Sequence, residues 1–186
     1  MPAKTIINSQ CFELTLRRLC YELVENHDKF EDSAMIGLQQ GGVFLARRIA
    51  GLLEKEHGVK NLRIGSLDVT FFRDDFRRRQ SPLVASSTQI DFTVENKKVV
   101  LLDDVLFTGR TIRAGLDALL SFGRPRSVEL MVLIDRRYSR HLPIQPDYVG
   151  RTVDAVTSER VEVYWKENDK EDKVSLITPS SYANKP

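Results

Sequence analysis

Cysteine is nearly absent. The 186 residues hold two, Cys11 and Cys20, and both fall in one segment of helical spacing, about 13 Å apart by helical rise. A disulfide between them is out of reach, so a core rather than staples must hold the fold, as suits a reducing compartment. Long apolar runs are missing too. None approaches the roughly 18 residues of a membrane span, and the opening Met-Pro-Ala-Lys-Thr-Ile-Ile-Asn has no apolar signal core. A cytoplasmic protein with no membrane partner is expected. Charge of one sign is also scarce. A net charge of +2, from 28 basic and 26 acidic residues, is too small to point to nucleic acid by itself. Only three histidines occur, His27, His57 and His141, and no His/Cys cluster has metal-ligand spacing. His27 and His57 fall near helix ends, where structural or solvated roles are expected, and His141 is expected at the surface.

What is present is a chain that can bury a core: 41% of residues are apolar and 29% charged. The length implies a single domain, residues 1–186. Leu16, Leu19, Cys20, Leu23 and Val24 recur at helical spacing within residues 10–27. Ser33 to Leu38 reads as a buried strand. Gly41 and Gly42 break the chain before a second helix over roughly 43–57, which Gly58 ends. Arg63 to Phe72 reads as a strand. Residues 73–96 mix charges, serines and a proline without periodicity, and a loop this long is commonly functional. Strand Lys98–Leu102, helix Thr111–Phe122 and strand Val128–Ile134 follow. The alternation predicts an α/β fold with a mostly parallel sheet flanked by helices, and ligands at the carboxyl ends of its strands. The core spans about 30–135. Residues 136–180, with strands near 161–166 and 173–178, form a hood over it together with the N-terminal segment.

The chemistry is densest at VVLLDDVLFTGRT, residues 99–111. An apolar run ends in Asp103 and Asp104. Two adjacent carboxylates repel each other and are costly to bury unpaired, so solvent, a metal ion or hydroxyl donors must face them. Thr108, Gly109, Arg110 and Thr111 then turn into a helix. Gly109 lets backbone approach a ligand closely. The helix start offers amide groups and a positive dipole end, a cradle for phosphate. Carboxylates for sugar hydroxyls and a nest for a phosphate, set this far apart, match a ribose 5-phosphate. A Walker B strand also ends in acids, but it needs a Gly-x-x-x-x-Gly-Lys-[Ser/Thr] loop elsewhere, and the sequence has none.

The 99–111 segment resembles the 5-phosphoribosyl pyrophosphate (PRPP) signature of type I phosphoribosyltransferases. The stretches VVLLDDVLFTGRTIRAGLDALLSFGRPRSVEL, DVTFFRDD and LPIQPDYVG resemble one branch of them, the pyrimidine operon regulators, over roughly residues 10–165. That branch combines RNA-binding attenuation with uracil phosphoribosyltransferase activity. The resemblance implies the type I phosphoribosyltransferase fold with a hood and a long mobile loop. It implies transfer of ribose 5-phosphate from PRPP to uracil, giving UMP and pyrophosphate, with Mg²⁺ arriving on PRPP and touching the protein, if at all, through Asp103 or Asp104. It places Asp103 and Asp104 on the ribose hydroxyls and Val105, Leu106, Phe107, Thr108, Gly109, Arg110 and Thr111 around the 5-phosphate. Gln39, Gln40, Gly41 and Gly42 occupy the pyrophosphate loop. Here the chain departs from the branch, which resembles Lys-Thr-Arg-Gly at these positions; both cations are lost. Arg73, at the start of the mobile loop, is a candidate catalytic group that restores some of that charge. Asp135, Arg136 and Val153 fall on the base side, Val153 and residues 158–162 through backbone groups. The family resemblance also implies homodimers or larger assemblies.

Two other functions stay open at this stage. One is a nucleotide-sensing regulator that binds RNA through Arg77, Arg78 and Arg79 or through Arg136, Arg137 and Arg140. The other is a hypoxanthine-type enzyme, since Gly41-Gly42 and PDYVG have counterparts there.

Overall fold

Ser33–Leu38 is apolar at nearly every position because it is covered on both faces, as parallel strands are. In a computed structural model, which describes residues 3–72, 87–156 and 158–179, the elements are β1 (Ala3–Ile7), α1 (Ser9–His27), β2 (Ser33–Leu38), α2 (Gly41–His57), β3 (Arg63–Leu67), β4 (Lys98–Leu106), α3 (Arg110–Leu119), β5 (Ser127–Arg137), β6 (Tyr148–Asp154), β7 (Arg160–Tyr164) and β8 (Lys173–Ile177). β2 to β6 form a parallel five-stranded sheet in the order β3-β2-β4-β5-β6. Alternate residues of its strands feed two cores. Met35, Val100 and Leu102 join α1, α2 and the hood on one face. Ile36, Leu38, Val99 and Leu101 join α3 on the other.

Helix ends follow local chemistry. The Asn8 side chain accepts from the Cys11 N–H at 2.9 Å and starts α1. Gly58, at φ +66°, closes α2. Burial pushes the Cys20 thiol up to about 12, so it is an inert packing group. His27 is likewise structural: its ring is held by Ser33 Oγ at 2.8 Å and Glu129 Oε2 at 2.9 Å, and Tyr148 donates to the same carboxylate at 2.6 Å.

Several boundaries differ from the sequence expectation: α2 begins at Gly41, which with Gly42 was expected to break the chain before it, and the strand expected over Val128–Ile134 runs from Ser127 to Arg137, so Asp135 and Arg136 are strand residues. The strand expected to reach Phe72 stops at Leu67, because the Asp68 carboxylate takes the Thr70 N–H and hydroxyl at 2.8 and 2.6 Å and turns the chain into a single 3₁₀ turn. β4 continues past Leu102 through both aspartates to Leu106, its ladder with β5 pairing Asp103 with Val132 and Leu106 with Asp135. The helix expected to run to Phe122 is α-helical to Leu119 and 3₁₀ from Leu120 to Phe122. β6, expected within the hood, is the edge strand of the large sheet.

The hood itself is a three-stranded antiparallel sheet, β1-β8-β7. Trp165 packs it down, 5.2 Å from the Phe12 ring and 5.9 Å from Phe44. Arg48 of α2 clamps the β7–β8 turn, with forked bonds to Glu167 at 2.7 and 2.7 Å and to Asp172 at 3.0 and 2.9 Å. The Arg48 hydrogen bond holds the Glu167 carboxyl below its usual range. Burial raises Asp172, but bonds from Arg48 and the Lys166 N–H outweigh it and leave that carboxyl low as well. Arg48→Ala is expected to cost about 2 kcal/mol at neutral pH, less than a fully buried pair because the carboxylates keep some water. Both carboxyls titrate lower when folded. The clamp therefore contributes fully above the ordinary carboxylate range and fades as pH falls through the lowered values. Urea melts of wild type and Arg48→Ala should differ at pH 7 and converge in acid.

Candidate active site

The strand order reverses at β2. β3 lies on one side of it and β4 on the other. Ligands in open parallel sheets bind at such a switch point, outside the carboxyl ends of the strands. Two chain segments meet there: the loop from β2 into α2, residues 39–42, and the end of β4 with its turn into α3, residues 103–111.

They meet at van der Waals distance or closer because glycine permits it. A Cβ on Gly41 would lie 2.0 Å from Asp104 Oδ2, and one on Gly42 would lie 2.1 Å from the Leu102 carbonyl oxygen. Gly42 also backs onto Gly37, whose Cβ would lie 2.5 Å from the Gly42 carbonyl oxygen. The loop is fastened on its far side by the Gln39 N–H to Leu67 O at 3.0 Å and the Gln39 side chain to Ser87 O at 3.2 Å. The Gln39–Gln40 peptide is cis. Neither glutamine brings positive charge, so the loop can offer an anion only backbone and amide groups.

Asp103 is buried, and Asp104 lies beside it on the same strand. Asp103 Oδ1 accepts the Asp104 N–H at 3.1 Å, and Asp104 Oδ1 accepts the Val105 N–H at 2.8 Å. Burial pushes the Asp104 carboxyl above its ordinary value, with the Val105 N–H and Asp103 pulling it back. Asp103 is buried and Asp104 half-buried, so the pair is partly shielded from water, which strengthens bonds to hydroxyl or cation partners.

Next comes the turn. Val105 and Leu106 are strand residues; the Leu106 side chain is in the core, and Val105 is half-buried. Gly109 stands at φ +88°, the left-handed conformation that opens α3. The Thr108 hydroxyl accepts from the Arg110 N–H at 3.4 Å. A segment the sequence did not connect with this turn lies against it. His141 N–H and Leu142 N–H both donate to Thr108 O, at 3.0 and 3.3 Å. The Arg140 guanidinium donates to Phe107 O and to Asp135. Ile144 packs on Gly109.

Of the residues expected on the base side, Asp135 is engaged by Arg140. Arg136 is buried, its guanidinium 4.1 Å above the Phe107 ring. Burial pushes it below its ordinary value. Val153 is buried on β6, opposite Arg136 in the ladder. Arg137 pairs with Asp154 at 2.6 Å. Of the run Arg136, Arg137 and Arg140, read from the sequence as an RNA-facing patch, Arg136 is buried, Arg140 is held by Asp135 and Phe107 O, and Arg137 pairs with Asp154 at an exposed position. Arg73 and the Arg77–Arg79 run lie outside the described residues. Arg140, the backbone of 141–142 and Ile144 were missed as neighbours of the phosphate turn. No periodicity links them to it, since they arrive by a connection after β5.

Comparison with known proteins agrees with this geometry. Residues 2–168 match the phosphoribosyl transferase domain family. The Bifunctional protein PyrR of Desulfosudis oleivorans is 45% identical over 174 residues, 94% of this chain and 96% of that protein. The protein of the same name from Caldicellulosiruptor bescii is 44% identical over 173 residues, 93% of this chain and 94% of that one. Among solved structures, a hypoxanthine phosphoribosyltransferase from Staphylococcus aureus superposes with a TM-score of 0.70 at 17% identity, covering 96% of this chain and 94% of that one. The Trypanosoma cruzi counterpart gives 0.73 at 16% identity, covering 97% and 93%. At such identities these structures speak for the fold alone.

Proposed function

Since the chain belongs to the phosphoribosyl transferase domain family, we propose that it is a pentosyltransferase joining uracil to the ribose of PRPP, giving UMP and pyrophosphate. The observation that carries this is the meeting of the loop after β2 with the end of β4 and its turn into α3. It gathers two carboxylates, a glycine loop and a helix-opening turn at one strand end. The uracil assignment rests on the likeness to the pyrimidine operon regulators and on relatives named Bifunctional protein PyrR.

In this reading the turn at 108–111 receives the 5-phosphate on amides and hydroxyls. Asp103 and Asp104 accept the ribose 2- and 3-hydroxyls and fix the ring's orientation. The Gly41–Gly42 backbone faces the pyrophosphate. The bond from C1′ to the pyrophosphate oxygen breaks as the bond from C1′ to uracil N1 forms, and the N1 proton is released. Positive charge grows on the ribose ring as the bond loosens. The two carboxylates stabilise that charge from fixed positions, which makes positioning and electrostatics the protein's main contribution. Among the described residues no cluster of three or more His, Cys, Asp or Glu side chains is poised to hold a metal. Two carboxylates fit Mg²⁺, which keeps several waters and takes most of its other oxygens from a phosphorylated substrate. Asp103 and Asp104 would hold it, and bound there it would supply charge neutralisation for the leaving group.

Incubation with PRPP, Mg²⁺ and each base in turn tests the assignment, with nucleotide and pyrophosphate measured together. UMP is the expected product from uracil. IMP from hypoxanthine, with none from uracil, would replace the base. Tight UMP binding without turnover of any base would favour a nucleotide sensor. That role would suit a pyrophosphate loop without cations.

A further inference from the structure

We propose that Arg140 is a positioning residue that aims the phosphate turn. This rests on the phosphoribosyl-transfer reading and extends it to a residue outside the PRPP signature.

The turn Phe107-Thr108-Gly109 has three carbonyls, and each is tied. Arg140 takes Phe107 O, the His141 and Leu142 amides take Thr108 O, and the Arg113 N–H takes Gly109 O at 2.9 Å. A trans peptide is planar, with its N–H opposite its C=O. Pinning Phe107 O towards residue 140 therefore turns the Thr108 N–H the other way. Pinning Thr108 O towards residues 141 and 142 does the same for the Gly109 N–H. Amides that would otherwise sample other orientations are thus fixed before a phosphate arrives, which is what a preorganised anion site requires.

Arg140 is itself held. Its second nitrogen is bound by Asp135, at the end of β5, which sits opposite Leu106 in the ladder with β4. Strand register therefore sets the position of Asp135, Asp135 sets the guanidinium, and the guanidinium sets the turn. A planar fork can bridge a carboxylate and a carbonyl at once, where an ammonium has no such geometry. Asp135, expected from the sequence to face the base, acts on the phosphate side in this arrangement.

Arg140→Met keeps much of the stem and removes the fork. Its PRPP KM should rise about 10- to 100-fold, the penalty of a cradle displaced by about 1 Å. The KM for uracil should stay unchanged, and UMP affinity by calorimetry should fall in step with PRPP. Arg140→Lys should recover only part of the loss. Asp135→Asn should move PRPP and UMP in the same direction by a smaller factor, and it carries the test if Arg140→Met does not fold. Arg137→Met, whose partner is Asp154, should keep wild-type constants. Three results would overturn the proposal: an unchanged PRPP KM and UMP affinity in Arg140→Met, an equal loss for uracil and PRPP, or an equal loss in Arg137→Met. Failure of the wild type to bind either PRPP or UMP would instead remove the phosphoribosyl reading itself.

Discussion

Gly41→Ala should lower kcat/KM about a hundredfold while leaving the melting temperature nearly unchanged. The new methyl would stand 2.0 Å from Asp104 Oδ2. Real contacts of that kind do not occur below about 3 Å, so one partner must retreat by at least about 1 Å, a displacement that costs on the order of 10²-fold in a positioned site. The carboxyl can rotate away, and it is one of the two assigned to the ribose, while the Asp104 Cβ, 2.8 Å from the new methyl, needs a shift of only a few tenths of an ångström. The damage is therefore functional. A double-mutant cycle makes this sharp. Asp104→Asn alone should be severe, and adding Gly41→Ala to it should cost little more, because the residue through which the methyl acts has already been disabled. Additive losses would mean that Gly41 matters for another reason.

Gly42→Ala, one residue on, should behave in the opposite way. Its methyl would meet the Leu102 carbonyl oxygen at 2.1 Å and the Asp103 Cα at 3.0 Å. Both are backbone of the central strand, and β4 is held in register by β2 and β5 on either side. Nothing there can rotate away. The clash must be absorbed by separating α2 from the sheet, and overpacking of this severity is expected to cost about 3 kcal/mol or more. For a domain of this size that is a fall of about 10 °C in Tm. Gly51→Ala provides the contrast. Its Cβ would meet nothing within 4 Å, and it sits inside α2, so the change should stabilise by roughly 0.5–1 kcal/mol. Thermal melts of the three alanine variants, ranked 42 below 41 and 41 below 51, would check the assignment of each glycine.

The ease of reading the sequence varied with the reach of the forces involved. β2 was legible to the residue because Ser33–Leu38 is buried throughout, and burial on both faces leaves a continuous apolar run. The end of α2 was legible because a glycine at positive φ is a local signal; its start was not, because Gly41 and Gly42 are helical where glycine reads as a break. β1 was not. Ala3–Ile7 is mostly exposed and owes its strand to pairing with β8, whose residues lie near the other end of the chain. β6 was missed because an edge strand tolerates Gly150 and Arg151. Gly150 is needed there, since a Cβ would lie 2.4 Å from Leu133 O. The aspartates read as the end of β4, because acids favour turns. The ladder with β5 carries the strand four residues further. In the site, residues adjacent in sequence could be grouped by motif. The meeting of Gly41 with Asp104, and of Arg140 with Phe107, depends on sheet order and on a long connection. The sequence pattern encodes neither directly.

A crystal structure of the protein with UMP bound would test the central claim most directly. The account expects the nucleotide's phosphate within hydrogen-bond distance of the 108–111 turn and its ribose hydroxyls on Asp103 and Asp104. UMP seated elsewhere, or no UMP at the carboxyl ends of β2 and β4 at saturating concentration, would contradict it.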